Sequence, residues 1–453
     1  MSQTIVLKRG LDIPVSGEAE LRVSKTIAPG IVAVQLTDFK GFLPRLLVKE
    51  GDPVRCGSPV MADKTNADIL LTAPVSGTVK AIVRGDKRKL LAVLLEADDD
   101  QTFVDFGIRD ASALDAGQIR DALLQSGLWP FLVQRPYGVV ADPRIRPRDI
   151  FISTFSTAPL APDSHFRFDG ELQAAQAGVD ALSKLTDGKV HLGLDARQAD
   201  SPFARIRGAE LHRFAGKHPT GNVGVQISHI APIRKEDIVW TVSPEGLVAI
   251  GRLFTTGRYD VRRKVAVGGP MAIEPAYVDA LPGMPMTELA GFYGTTPAEE
   301  LRIVSGDILS GRAVGTGGYL GFFDSQVTLL REGTNKELLG WIRPFRFNQF
   351  SADRSYFSRW LPKKKYAMDT NLHGGARAFL MNDGYYARVL PMDIYPVYLA
   401  KACLAGEIEK MEKFGIYEVL PEDLATCEFV DPSKNNIQDM IEQGIDLMRK
   451  EMA

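Results

Sequence analysis

The chain has 453 residues, 45% of them hydrophobic and 24% charged, with a formal net charge of −2. This is ordinary globular composition with enough apolar material for about three domains, which excludes a disordered chain. With no global basic field, nucleic-acid binding is not expected either.

The longest apolar runs, such as Leu90 to Leu95, fall far short of the roughly 18 to 20 residues that cross a bilayer. The opening MSQTIVLKRGLDIPVSG lacks the charged-then-apolar pattern of a signal peptide. A cytoplasmic location is expected. Cys56, Cys403 and Cys427 are the only cysteines and form no CxxC pair, so neither a disulfide framework nor a cluster held by this chain is expected.

In chain order, residues 1–100 alternate short apolar runs with Gly, Pro and Asp turns and read as a small β unit. From Ala113 to Ser126 the spacing turns helical, with Leu114, Ile119, Leu123 and Leu124 on one side and Gly127 placed to end the helix. Residues 101–258 alternate apolar runs, at 150–152 and 190–194, with a helical stretch from Leu172 to Leu185. This pattern predicts a Rossmann-like α/β domain with a parallel sheet. Residues 259–333 return to short strands around Gly-Gly-Pro, Pro-Gly and Ser-Gly, with one helix near Thr287 to Leu289. Residues 334–453 are first aromatic and basic, then helical. There Ile437, Met440, Ile441, Ile445 and Met448 fall at amphipathic spacing. The fold class predicted is multidomain α+β.

The stretch KEGDPVRCGSPVMADKTNADILLTAPVSGTVKAI resembles the biotinyl/lipoyl carrier fold. Lys64 lies near the position of a carrier's modified lysine, but without the flanking Met or small residues it reads as a surface lysine. The next region resembles the flavin- and NADH-binding subunit of respiratory complex I and the C subunit of Rnf-type complexes. Ser126, Gly127 and Leu128 match the helix end that precedes their GRGGAGFP-like phosphate loop, but WPFLVQRPYG follows here. Bulk at Trp129, Phe131 and Gln134 replaces the glycines that let backbone approach a phosphate. In place of a NADESEP-like segment stand Ser153 to Pro159, without its carboxylates, and in place of YPQGGE stands HPTGNVG, with Val223 at the Glu position. Residues 265 to 330 resemble the β-grasp module that follows in both relatives. The C-terminal part keeps the frame of a cluster-binding helical domain through Pro391, Pro396, Pro432 and Ser433, but only Cys427 remains of its ligands. Four thiolates, or histidines in place of some, hold such clusters.

The order of lipoyl-like unit, eroded flavin domain, β-grasp module and cluster-free helical domain resembles that of the A subunit in the sodium-translocating NADH:quinone oxidoreductases. That resemblance implies a peripheral subunit on the cytoplasmic face of a bacterial inner membrane, in a complex that couples NADH oxidation and ubiquinone reduction to Na⁺ export. The complex uses NADH, flavins, iron–sulfur and ubiquinone, while this chain is expected to bind none of these as a cofactor and to be non-catalytic when isolated. Its expected partners are the other subunits, especially a membrane-embedded one. A quinone contact is expected at Trp129, Phe131, Arg135 and Tyr137, read as a flat apolar surface with polar tips. Two alternatives stay open: a flavin- or NADH-binding electron carrier, and a docking subunit without a ligand.

Between Arg343 and Tyr366, aromatic residues alternate with Arg and Lys. Phe345, Phe347, Phe350 and Trp360 either form a docking surface or fill the helical domain's core. The six histidines show no H-E-x-x-H spacing, and no metal site is expected from them.

Overall fold

The computed structural model describes residues 4–28, 30–198, 200–334, 337–343, 345–352, 355–361, 364–373, 379–381 and 383–452. Short extended runs bounded by turns form the first unit. A four-stranded antiparallel sheet is ordered Ile31–Gln35, Leu90–Ala97, Gly77–Arg84, Pro53–Val54. A three-stranded one is ordered Pro44–Leu46, Pro59–Asp63, Leu70–Thr72. Val32, Val60, Met61, Val79, Val93 and Leu95 are almost fully buried in their shared core. Lys64 is exposed in the turn after Asp63.

The α/β domain carries seven strands ordered Thr4–Val6, Glu210–Ala215, Val190–Asp195, Ile150–Ser153, Val239–Thr241, Val133–Arg135, Val139–Val140. The first five run parallel, Val133–Arg135 runs antiparallel to them, and Val139–Val140 runs antiparallel to Val133–Arg135 in turn. Side chains alternate across the sheet with the period of two expected of strands. Ile150, Ile152, Val190, Leu192 and Leu194 pack with the helices Leu172–Leu182 and Pro244–Thr256. Phe151, Phe214 and Val239 face the other way, toward the helix Val223–Ile230 and the C-terminal helices.

Asp115 caps the helix Ala116–Ser126 through a reciprocal bond pair with Gln118, and Gly127 ends it in the left-handed region at φ 74°. A Cβ at Gly127 would stand 2.3 Å from Thr72 Cγ2, so the same glycine lets this helix end press on the β unit.

A third sheet is ordered Arg312–Ala313, Leu301–Ser305, Gln326–Arg331, Arg263–Gly268, Ala276–Ala280, Glu20–Thr26. Two N-terminal segments thus leave the β unit. Thr4–Val6 pairs in register with Arg213–Ala215, and Glu20–Thr26 pairs with Ala276–Asp279. Residues 1–100, which read as one unit in the sequence, therefore also supply strands to the other two domains' sheets. Thr4–Val6 is only three residues long and Glu20–Thr26 is exposed along its whole length, so neither carries a pattern that announces its partner. The expected helix near Thr287 is a 3-10 turn, Met286–Leu289, followed by Ala290–Tyr293.

The C-terminal helices are Asp383–Val389, Pro396–Ala405, Ile408–Phe414, Ala425–Val430 and Ile437–Met452. Ile437, Ile441, Ile445 and Met448 are fully buried and Met440 nearly so, so the periodic stripe read from the sequence is the packed face.

Candidate functional site

The region that resembles a nucleotide crevice is closed by the chain's own side chains. Trp129 and Phe131 sit on a 3-10 turn after Gly127 and are 0% and 1% exposed. Trp129 Nε1 donates to the Ala141 carbonyl at 2.7 Å, and its ring meets Trp240 edge-on at 5.4 Å between centroids. Phe131 packs on Phe322 and Phe323, from the loop before the strand Gln326–Arg331 of the third sheet, at 4.6 and 6.2 Å. These are core contacts, and they correct the flat apolar surface expected at Trp129 and Phe131: the large apolar area of such rings favours burial against Trp240, Phe322 and Phe323.

Arg135 is also buried. Its Nη1 donates to Asp423 Oδ2 and its Nη2 to Glu422 Oε1, both at 3.0 Å. Asp423 is fully buried and also accepts the Leu420 amide at 3.1 Å, while Asn222 Nδ2 donates to the Glu422 carbonyl at 3.1 Å. Burial, then the neighbouring Asp423 carboxylate, push Glu422 above the ordinary carboxylate range, with Arg135 opposing. Its side chain keeps 41% exposure, so solvent moderates that shift.

Asn222 precedes the helix Val223–Ile230, and a Cβ on Gly224 would lie 2.2 Å from Asp423 Oδ2. The amino end of this helix, an electrostatically favourable place for an anion, is thus met by a carboxylate from the C-terminal region. Tyr137 is half-buried, with its ring 6.4 Å from that of Tyr417. Of the four residues expected at a quinone contact, Arg135 and Tyr137 face the C-terminal domain, Trp129 and Phe131 the opposite core.

Pro396 opens the helix Pro396–Ala405, and Cys427 lies on Ala425–Val430, 0% exposed. Burial pushes the Cys427 thiol up, and Cys56 and Cys403, also buried, up to about 12. Such thiols are poor ligands in their protonated form.

The aromatic and basic segment divides. Leu338, Ile342, Phe345, Phe347, Phe357 and Trp360 are between 40% and 86% exposed. Phe345 and Phe347 cluster on Phe357 at 5.2 and 6.1 Å. Phe350 turns inward, half-buried and 6.1 Å from both Tyr366 and Phe429. It leaves the expected docking set because those two rings give it a packing partner on each side. The cations are largely engaged within the chain: Arg343 and Arg346 pair with Glu337, and Lys365 with Glu18. Arg354 and Lys363 lie outside the described residues. Beneath this segment a cavity of about 590 Å³ is lined by Leu330, Phe350, Tyr356, Tyr366, Phe429 and Gln438, among others.

Motif spacing carries no sign of one further group. His191, Glu210 and His212 converge with their ligating atoms within 4.8 Å of one another. They lie on adjacent parallel strands, so their proximity depends on a crossover and not on a motif. Among the described residues, no helix is long and apolar enough to cross a membrane.

Two family models match, described as the NqrA N-terminal barrel-sandwich hybrid domain over residues 5–98 and the NqrA second alpha/beta domain over residues 114–259. The A subunit of the Na(+)-translocating NADH-quinone reductase of Yersinia pestis is 38% identical over 433 residues, 95% of this chain and 96% of that protein. Its counterpart in Pasteurella multocida is 37% identical, with 99% and 100% covered. That of Rhodopirellula baltica is 35% identical, with 98% of each covered. A chain from the crystal structure of an NAD⁺-reducing [NiFe]-hydrogenase aligns at 12% identity and a TM-score of 0.40, over 75% of this chain and 67% of the other, and supports no argument at that level. On the strength of this nearly full-length identity, the chain belongs to the family of the A subunits of Na⁺-translocating NADH-quinone reductases.

Proposed function

We propose that this chain serves a Na⁺-translocating NADH:ubiquinone reductase as a cofactor-free peripheral subunit on the cytoplasmic face, seated on a membrane-embedded partner through residues 338–361. The observation that carries this reading is the row of exposed apolar side chains there, Leu338, Ile342, Phe345, Phe347, Phe357 and Trp360. Phe345 and Phe347 gather on Phe357, and exposed aromatic side chains that cluster in this way suit a subunit interface. Arg343, Arg346 and Lys365 already hold carboxylate partners, which favours apolar contact with a protein over attraction to anionic lipid headgroups. In the assembled complex, Phe345→Ser with Trp360→Ser is expected to shift the chain from the membrane fraction to the soluble one. Unchanged retention would remove the docking reading.

The cofactor-free part is supported by Trp129 and Phe131 filling the resembled phosphate loop, by Asp423 beside Gly224, and by three buried cysteines. A visible spectrum of the purified chain is expected to be featureless, and flavin bands or a cluster shoulder would replace this reading with that of an electron carrier. A second reading, quinone contact, is favoured by the 590 Å³ cavity lined by Phe350, Tyr356, Tyr366 and Phe429, a volume suited to a small ligand. Saturable quenching of tryptophan emission by a soluble quinone, weakened in Phe429→Ala, supports it, and a titration without saturation removes it.

A further inference from the structure

The strands Val190–Asp195 and Glu210–Ala215 run parallel, pairing His191 with Glu210 and Gly193 with His212. With side chains alternating along each strand, His191, Glu210 and His212 project from one face of the sheet. His191 Nδ1 lies 3.0 Å from His212 Nε2 and 3.5 Å from Glu210 Oε2, and His212 Nε2 lies 3.9 Å from the same oxygen. A tetrahedral zinc ion with bonds of roughly 2.0 to 2.2 Å sets its ligands about 3.3 to 3.6 Å apart. The triangle brackets that spacing, so small side-chain rotations suffice to close it.

The surroundings fix the ligand atoms. The His191 ring is stacked on Phe151, with centroids 4.6 Å apart and planes at 14°. Its Nε2 faces Asp149 Oδ1 at 3.5 Å. A carboxylate behind an imidazole favours the tautomer that presents the opposite nitrogen's lone pair to a metal. Lys189 engages Glu210 through Oε1, leaving Oε2 toward the imidazoles. Burial lowers both histidines from their ordinary value, with Asp149 and Glu210 opposing it at His191, and Lys189 adding to it. Neutral imidazoles are the metal-binding form. The side chains are 7%, 21% and 43% exposed for His191, His212 and Glu210, so the cluster is walled by protein on the His191 side and open to solvent on the Glu210 side. This leaves room for a fourth ligand.

We propose that His191, Glu210 and His212 form a site for one divalent cation of the zinc class, bound through His191 Nδ1, His212 Nε2 and Glu210 Oε2, with water completing the coordination. Two imidazoles and one carboxylate select Zn²⁺ and its transition-metal neighbours over hard cations, so this site is separate from the transport of Na⁺. Binding clamps two neighbouring strands of the α/β sheet. In the metal-free chain the facing ring nitrogens share one proton in an N–H···N contact. Metal entry moves that proton to the far nitrogen of its own ring, with no net proton release.

The test uses the full chain, stripped with EDTA and titrated with ZnCl₂ by calorimetry, and separately with CoCl₂ followed in the visible. One equivalent of Zn²⁺ is expected to saturate, and Co²⁺ is expected to give the intense bands of a tetrahedral site. His212→Gln and Glu210→Gln, both at side chains that reach solvent, are expected to lose ten- to hundredfold or more in affinity, about the range seen when even an outer partner is removed, with unchanged circular dichroism. Absence of saturable binding, or equal binding by folded variants, overturns the proposal and leaves a hydrogen-bonded histidine pair. Should the variants not fold, carbethoxylation of the wild-type chain decides: Zn²⁺ protects His212 if the site exists, and unchanged labelling overturns it.

Discussion

Arg135 shows how a single residue can join distant parts of the chain. Its guanidinium, 2% exposed, holds Asp423, which is 0% exposed and 288 positions away. Removing one member of such a pair leaves a buried charge uncompensated, at a cost of about 3–5 kcal/mol. Arg135→Met is expected to lower unfolding free energy by that amount in urea. Arg135→Met/Asp423→Asn is expected to cost less than the sum of its single changes, by the coupling of the pair. His218 gives a pH-dependent counterpart. It is 4% exposed, with Nδ1 3.2 Å from Thr157 Oγ1. Burial lowers its pKa, against the opposing fields of Asp307, Asp12 and Asp423. A depressed folded value means that the unfolded chain binds the extra proton more readily. The contribution of neutral His218 is therefore full above the unfolded value of about 6.5 and is lost as pH falls below it. Between about pH 7.5 and about pH 5.5, His218→Gln is expected to lose less stability than the wild type, read from urea midpoints. In the sequence the bulk of Trp129 and Phe131 was legible as the filling of a loop. That Phe322 and Phe323 would bury one of them was not, because nothing local marks a partner so far along the chain.

At the scale of elements, the last helix was the most legible. Ile437, Ile441, Ile445 and Met448 keep one face through about three turns, and that face is the buried one. Truncating it makes a cavity that well-packed neighbours do not refill, so Ile441→Ala is expected to cost about 2–5 kcal/mol in chemical denaturation. The segment around Phe345 and Trp360 was ambiguous for the opposite reason. It has no period, and alternating aromatic and basic residues fit a covered core as well as an exposed surface. Only placement separates them, with Phe350 inside and Phe345 outside. The histidine cluster was illegible for a topological reason: His191 and Glu210 become neighbours only once two parallel strands align.

For the molecule as a whole, the sequence divided the chain into four consecutive regions, and the regular pattern within each carried that division. The strands Thr4–Val6 and Glu20–Thr26 cross it, completing edges of sheets built mainly from residues after 132. Removing residues 1–26 is expected to bare both edges and promote self-association, measured by light scattering against the full chain. A monodisperse, equally stable product would show that these pairings are dispensable.

The same threading sets a timetable for synthesis. Thr4–Val6 is made early, but its partner Arg213–Ala215 follows some two hundred residues later. At about 5–20 residues per second the wait is on the order of ten to forty seconds. Until then the early strand is an unpaired ribbon, open to chaperones, whereas the β unit between Ile31 and Ala97 has all of its own strands long before Arg213 is made and is free to close.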